Sequence, residues 1–150
     1  MAHQLILGEL KDVLTGDVLP DTLDERYRQK IARRLVEEKG YDRTEIGACR
    51  RLTVSAGDRT AAVSVDFVIS LQGRVCMVVR FGPGSLVTRH RPSVAAARLI
   101  AGGQVPVVVA TNGESADVLD GRTGRRMADG FDGIPDREAL WDMAAAQPFE

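Results

Sequence analysis

The sequence has few of the features that mark disulfide-rich, metal-binding or membrane-spanning proteins. It contains two cysteines, Cys49 and Cys76, without the paired spacing of metal and redox motifs. Each lies in an apolar, strand-like segment, so we expect two buried free thiols in a reducing compartment. The longest apolar run covers only residues 105–110, which is far too short to cross a bilayer. These shortages argue against a small disulfide-stapled scaffold and against a helical membrane protein.

A strong net charge is also missing. The formal charge is −1, so the chain as a whole has no attraction to nucleic acid or membranes, and any basic site must be local. Residues 1–7 lack the charged start and the long apolar core of a signal peptide. With 150 residues, of which 44% are hydrophobic and 27% charged, the chain suits one globular domain over residues 1–150. We therefore expect a soluble, cytoplasmic protein that does not contact membranes.

What is present is a regular succession of helical and strand patterns. Thr22 and Glu25 form a capping-box pattern before an amphipathic segment, and Gly40 is well placed to end it. The patterns predict a short helix over residues 8–14, a helix over 23–39, a strand over 48–55, a hairpin over 61–71 and 74–81, a helix over 93–101 that follows Pro92, a doubly buried strand over 105–110, a second hairpin over 116–119 and 125–128, and a terminal helix over 135–146. This order indicates an α/β domain with a mixed sheet, in which a helical crossover joins the central hairpin to the buried strand.

The central hairpin carries a single acid, Asp66, in its first arm and Arg80 near the end of its second. Alternation places five apolar residues of the first arm on one face: Val63, Val65, Phe67, Ile69 and Leu71. A two-residue loop at 72–73 would pair position 66 with 79 and separate Asp66 from Arg80. A three-residue loop over 71–73 would place Arg80 diagonally beside Asp66. The sequence leaves both loops open, and it requires the chain to leave extended geometry at residues 82–84.

The order helix, three strands, helix, strand is the core order of the PD-(D/E)XK nuclease-like fold. The chain resembles one branch of that fold more closely, namely the N-terminal domain of type I restriction enzyme R subunits. The resemblance rests on TLDERYRQKIARRLVEEKGY (22–41), VDFVI (65–69), the turn at Gly73, MVVRFGPGS (77–85) and PVVVATNGE (106–114). It implies a restriction-endonuclease-like αβββαβ core with a mixed central sheet, followed in this chain by a C-terminal hairpin and helix.

In active members of that family, an Asp on the second strand and a Glu-x-Lys on the third build a Mg²⁺ site, in which the lysine orients the attacking water. Asp66 matches the first acid, and Glu25 can correspond to an acid on the first helix. Aligned through the hairpin turn, the Glu falls on Arg80 and the Lys on Gly82; shifted by two residues, they fall on Val78 and Arg80. Both alignments lack the second carboxylate. The resemblance therefore implies a vestigial site that needs no cofactor, in which Asp66 pairs with Arg80. If the site is active, Asp66 is its one recognised Mg²⁺ ligand.

Two basic groups are candidates for contact with nucleic acid. Arg89, His90 and Arg91 precede a predicted helix and form the densest basic cluster, for which a solvated loop is the equal alternative. Arg33 belongs to a basic face of the first helix that can follow a phosphate backbone. A solvated face balanced by neighbouring acids is the preferred interpretation of that helix.

Three functions are compatible with these observations. The first is a nuclease-like module that binds nucleic acid, with DNA as the expected partner, or a protein partner, without cutting. The second is an active Mg²⁺-dependent DNA endonuclease that uses Asp66 with a non-standard second acid such as Glu25. The third is a structural or oligomerising protein that retains the fold for its core alone.

Overall fold

The computed structural model describes residues 6–82 and 85–147. The strands in this part of the chain are β1 Glu9–Lys11, β2 Val18–Pro20, β3 Ile46–Ala56, β4 Arg59–Leu71, β5 Arg74–Phe81, β6 Val107–Thr111, β7 Ala116–Asp120 and β8 Arg126–Asp129. The helices are α1 Leu23–Glu37, α2 His90–Ala101 and α3 Arg137–Ala145. None of these helices is long and apolar enough to cross a membrane. The expected break at residues 82–84 involves residues 83 and 84, which lie outside the described residues.

The large sheet has six strands in chain order, from β3 at one edge to β8 at the other. β5 and β6 run parallel, and every other neighbouring pair is antiparallel. α2 connects the two parallel strands, since a parallel pair needs a crossover rather than a tight turn. The predicted order of helix, three strands, helix and strand is therefore confirmed, as are the mixed sheet and the second hairpin, formed by β7 and β8.

Helices cover both faces of the sheet. One apolar cluster joins the sheet to α1 and α3, and we call its face the α1 side. A second cluster joins the sheet to α2, on the α2 side. β6 supplies Val107 and Val109 to the first cluster and Val108 to the second, as expected of a strand buried on both faces. Each of these fully buried valines contributes about 1.5–3 kcal/mol of hydrophobic free energy.

The helix starts follow from local hydrogen bonds. The Thr22 side chain accepts a hydrogen bond from the Glu25 backbone N–H, which confirms the predicted cap of α1, and the helix ends at Glu37, two residues before the predicted end. α2 begins at His90 instead of the predicted residue 93. Pro92 fits inside its first turn because the missing N–H would have no partner within the helix.

The predicted helix over residues 8–14 is wrong. The chain forms the β1–β2 hairpin there, and the turn is built around Asp12. The two carboxylate oxygens of Asp12 accept hydrogen bonds from the Leu14 backbone N–H and the Thr15 hydroxyl, and its carbonyl accepts one from the Gly16 N–H. Local bonds of this kind compete with helix formation.

The central hairpin has an unexpected register. Its loop has two residues, 72 and 73, with positive φ values of 50° and 80°, as in a type I′ turn. A bulge in β5, in which Cys76 is the extra residue, then shifts the pairing by one residue, so that Phe67 lies opposite Val79. Extending this register places Asp66 opposite Arg80, which neither loop would have done alone.

The alternation of β4 breaks at Asp66. Val63 and Val65 pack on the α2 side, whereas residues 67, 69 and 71 belong to the cluster on the α1 side. The prediction that all five share one face is therefore wrong. On the neighbouring strand, Cys49 lies opposite Asp66 and has a φ of 54°, which is unusual for a residue with a side chain. Both strands thus depart from regular pleating at the level of the acid.

The two cysteines have different environments. Both are free, and Cys76 is buried, as predicted. Burial raises the pKa of its thiol, which keeps it protonated and unreactive. Cys49 is exposed, so the prediction that it is buried is wrong. It lies on β3, an edge strand of the sheet that has one partner strand and leaves much of its length in contact with solvent.

Candidate functional site

Asp66 is held by hydrogen-bond donors of the protein itself. Arg28 Nε donates to its Oδ1 at 2.8 Å, and the Phe81 backbone N–H donates to its Oδ2 at 2.7 Å. The side chain is only 13% exposed. A hydrogen bond to a charged group contributes about 1.5–3 kcal/mol to stability. Asp66 therefore ties together α1, β4 and the end of β5.

Arg28 is positioned by α1 and by the aromatic ring of Phe81. Its guanidinium carbon lies 5.8 Å from the centroid of the Phe81 ring, and that ring stacks on Tyr27 with centroids 5.7 Å apart. Burial lowers the pKa of Arg28, but the hydrogen bond and charge of Asp66 outweigh that effect and leave the pKa raised. Arg28 is thus a permanent cation against the carboxylate.

Glu25 lies on the same helix face, three residues before Arg28. Its Oε1 is 4.0 Å from Arg28 Nη1, and its Oε2 accepts a hydrogen bond from Gln29 at 3.2 Å. Gln29 is buried, and its side chain also bonds the Asp12 carboxylate and the Val13 N–H. The structure thus brings both predicted acids, Asp66 and Glu25, to one guanidinium. The adjoining cavity measures about 90 Å³, well below the about 300–1,000 Å³ of typical ligand sites.

The predicted pair between Asp66 and Arg80 is wrong, although the two residues lie opposite each other in register. In β5, Val78 packs on the α2 side and Val79 on the α1 side, so alternation places Arg80 on the α2 side. The break in β4 instead turns Asp66 toward α1. Within residues 6–82 and 85–147, Arg80 makes no ion pair, and the acid pairs with Arg28.

Gly82, the other position that matches the family's Glu-x-Lys, is covered by a second arginine. Its backbone N–H donates to the Thr111 carbonyl at 3.0 Å. A Cβ at this position would lie 1.9 Å from the Arg89 guanidinium, so any side chain would displace Arg89. In the alignment without a shift, both positions are therefore occupied by guanidinium groups.

The residues around Asp66 do not fit a Mg²⁺ ion. Magnesium requires near-octahedral oxygen ligands, several of which are usually waters. Both oxygens of Asp66 accept hydrogen bonds, and the Arg28 cation lies between this acid and Glu25. Across the described residues, no three His, Cys, Asp or Glu side chains are grouped closely enough to hold a metal ion. A fixed cation at the carboxylate repels a divalent metal.

The predicted basic residues occupy two separate places. Arg91 is exposed in the first turn of α2, on the α2 side of the sheet, and Arg33 is exposed on α1. His90 Nε2 lies 2.6 Å from Asp117 Oδ2, so in the tautomer with a proton on Nε2 the ring donates to this buried carboxylate. The Arg89 guanidinium lies against Gly82. The three neighbouring residues 89–91 therefore have different contacts, and Arg33 lies on another helix.

Sequence reasoning missed Arg28 and the Phe81 N–H as partners of Asp66. The one available signal was the position of Arg28 on the same helix face as Glu25, three residues further on. The backbone donor had no signal, because its position depends on where β5 leaves β4.

A comparison with protein families gives a match over most of the chain. The model of the family described as type I restriction enzyme R protein N terminus matches residues 23–135. Neither the curated proteins nor the solved structures give a match. The matched region runs from the start of α1 to the loop before α3 and includes Asp66, Glu25 and Arg28. Since it covers about three quarters of the 150 residues, the chain belongs to the family of type I restriction enzyme R protein N termini.

Proposed function

We propose that this chain is a restriction-endonuclease-like domain that has lost its metal-dependent nuclease centre and binds nucleic acid without cutting it. Its order of helix, three strands, helix and strand, with a mixed sheet between two helical layers, supports that fold assignment. The proposed unit is a single cytoplasmic domain that requires no cofactor.

One observation carries the loss of catalysis. The acid that would bind the metal already has a donor on each oxygen, and one of these donors is the Arg28 guanidinium. Binding of a metal at Asp66 would require breaking that ion pair and placing Mg²⁺ beside a cation. Arg80 and Gly82 supply no second carboxylate, so nothing at those positions offsets this electrostatic cost.

The binding half of the proposal rests on local positive charge. Arg33 and Arg91 are exposed, and neither forms an ion pair with another described residue. Because the net charge is −1, such unpaired cations, rather than the average surface, must attract a phosphate backbone.

A cleavage assay tests the catalytic half. Plasmid and linear DNA are incubated with the protein and Mg²⁺ or Mn²⁺, beside the Asp66→Ala variant and an Asp58→Ala control in the exposed β3–β4 turn. The proposal expects the same absence of metal-dependent cleavage in all three. Cleavage that is lost in Asp66→Ala and retained in Asp58→Ala would overturn it and would support the active alternative with Glu25 as the second acid.

A gel-shift series tests the binding half. Binding to DNA should weaken steeply between about 50 and 200 mM salt, because phosphate contacts release counterions. An absence of any shift at low salt would contradict nucleic-acid binding and would leave the structural or oligomerising role.

A further inference from the structure

A pocket of about 260 Å³ lies on the α2 side of the sheet, away from Asp66. One wall is the first part of α2, where Arg91, Val94, Ala95 and Arg98 follow the i, i+3, i+4, i+7 spacing of a single helix face. The other wall is the β7–β8 turn, represented by residues 122–124, and His90 completes the lining.

The lining of this pocket is cationic. Three arginines face it, Arg91, Arg98 and Arg122, and no carboxylate contributes to its walls. Arg98 donates hydrogen bonds to the carbonyls of Gly121 and Arg122, at 2.7–3.2 Å. These acceptors are neutral, so they hold the guanidinium in place without cancelling its charge. The Arg91 side chain makes no hydrogen bond or ion pair with any described residue.

The nearby acids do not line the pocket, and each already has hydrogen-bond or ion-pair partners. Asp117 is 5% exposed and contacts His90 and Arg126. Asp120 accepts hydrogen bonds from the backbone N–H groups of residues 122 and 123, and its carboxylate is 4.0 Å from the Arg122 guanidinium. Each acid therefore compensates part of the local charge from outside the pocket, and the pocket itself keeps an excess of guanidinium groups.

We propose that this pocket binds a phosphate group. Guanidinium groups present paired N–H donors that match phosphate oxygens. Two exposed arginines, Arg91 without an ion pair to any described residue and Arg122 at 4.0 Å from Asp120, flank Arg98, which is fixed by backbone carbonyls. The volume lies just below that of typical small-molecule sites, which suits one phosphate better than a whole nucleotide. The phosphate can belong to a nucleic-acid backbone, and in that case the proposal rests on the proposed function, or it can be a terminal or free phosphate.

Because the pocket lies away from Asp66, phosphate binding there can be tested independently of the loss of metal binding at Asp66. The acid faces α1, whereas the pocket lies between α2 and the β7–β8 turn, across the sheet. Substitutions at Arg91 therefore leave the Arg28–Asp66 pair intact, and the two sites can be tested independently.

The test measures binding by the full chain and by the Arg91→Ala and Arg122→Ala variants. The matched control is Arg51→Ala, since Arg51 is an exposed arginine of β3 that lies outside the pocket. The probes are a labelled DNA duplex, a single strand with and without a 5′-phosphate, and inorganic pyrophosphate as competitor. Arg98 is left in place because it holds the turn, and thermal melting of each variant checks that it is folded.

We expect each pocket variant to bind the preferred probe about tenfold more weakly than the wild type, and Arg51→Ala to bind almost normally. Duplex binding that depends on Arg91, with a salt slope reduced by about 1, identifies a backbone phosphate. A requirement for the 5′-phosphate, or displacement by pyrophosphate, identifies a terminal or free phosphate. Equal affinities of Arg91→Ala and Arg51→Ala for every probe would overturn the proposal that this pocket binds phosphate, even if DNA binds elsewhere on the protein and is not cut.

Discussion

At the scale of single residues, the fate of Asp66 is decided by which groups reach its two oxygens. A carboxylate on a sheet can bind a metal only while its oxygens face water or other acids. Here an arginine from α1 and a backbone amide of β5 reach it first, at 2.8 and 2.7 Å. The Asp66 carboxylate therefore stabilises the packing of α1 against the sheet instead of binding a metal ion.

This role predicts a loss of stability on truncation. Asp66→Ala should lower the free energy of unfolding by about 2 kcal/mol, because it removes the hydrogen-bonded partner of Arg28, leaving only Glu25 at 4.0 Å, and leaves the Phe81 N–H without its acceptor. Urea unfolding of Asp66→Ala, Arg28→Ala and the double variant measures both the loss and the coupling. Asp58→Ala, in an exposed turn, should change stability by less than about 0.5 kcal/mol. Additive effects of Asp66→Ala and Arg28→Ala would contradict the pair.

At the scale of elements, the β6–β7–β8 region depends on a close approach between two backbone segments. The Gly121 N–H donates to the Pro106 carbonyl at 3.0 Å, and a Cβ on Gly121 would lie 1.5 Å from the Val105 carbonyl oxygen. The residue that follows β7 must therefore be glycine for the chain to pass the segment that precedes β6.

Gly121→Ala should accordingly destabilise the fold by about 3 kcal/mol or more, since the clash is with backbone and cannot be relieved by a side-chain rotation. Gly103→Ala is the matched control, because a Cβ there meets no atom within 4 Å. Thermal or urea unfolding of the two variants gives the comparison. Similar stabilities would show that the two backbone segments are farther apart than described.

A second element-scale tie joins the segment before β3 to α3. Arg137 donates to both oxygens of Glu45 at 2.9–3.0 Å, and this bond is the main reason that the pKa of Glu45 is lowered. Because the pKa of Glu45 is lower in the folded state, the Glu45–Arg137 pair stabilises the fold at pH values above the ordinary glutamate pKa of about 4.3. This stabilisation is lost as the pH falls through the pKa that Glu45 has in the folded state.

Arg137→Met should therefore reduce stability at neutral pH and flatten the decline of stability in acid. Urea midpoints measured from pH 7 to pH 3 show the difference between the two curves, with Arg51→Met as a control for the loss of one positive charge. An acid decline as steep in Arg137→Met as in the wild type would exclude this pair as its source.

At the scale of the whole molecule, the sequence and the long-range geometry supply different kinds of information. Hydrophobic periodicity was sufficient to predict α1, the central hairpin, the crossover helix and the buried β6, because each of these elements is specified by the pattern of residues within its own segment of the sequence. It also singled out Asp66. The partner of Asp66 could not be predicted, since Arg28 is 38 residues away and meets it only because the break in the pleating of β4 turns the acid to the α1 side.

The same separation explains why the cationic pocket was predicted only in part. Arg91 and His90 stood out as a local basic cluster, whereas Arg98 and Arg122 join them through the packing of α2 against the β7–β8 turn. The hydrogen-bonded carboxylate of Asp66 thus lies on the α1 side of the sheet, and the pocket lined by Arg91, Arg98 and Arg122 lies on the α2 side.

A titration with Mn²⁺ tests most directly whether Asp66 has ceased to be a metal ligand. Free Mn²⁺ is followed by electron paramagnetic resonance as protein is added, for the wild type and for Asp66→Ala. We expect superimposable curves for the two proteins, because Arg28 and the Phe81 N–H already donate hydrogen bonds to the carboxylate. Stoichiometric binding to the wild type that disappears in Asp66→Ala would contradict it.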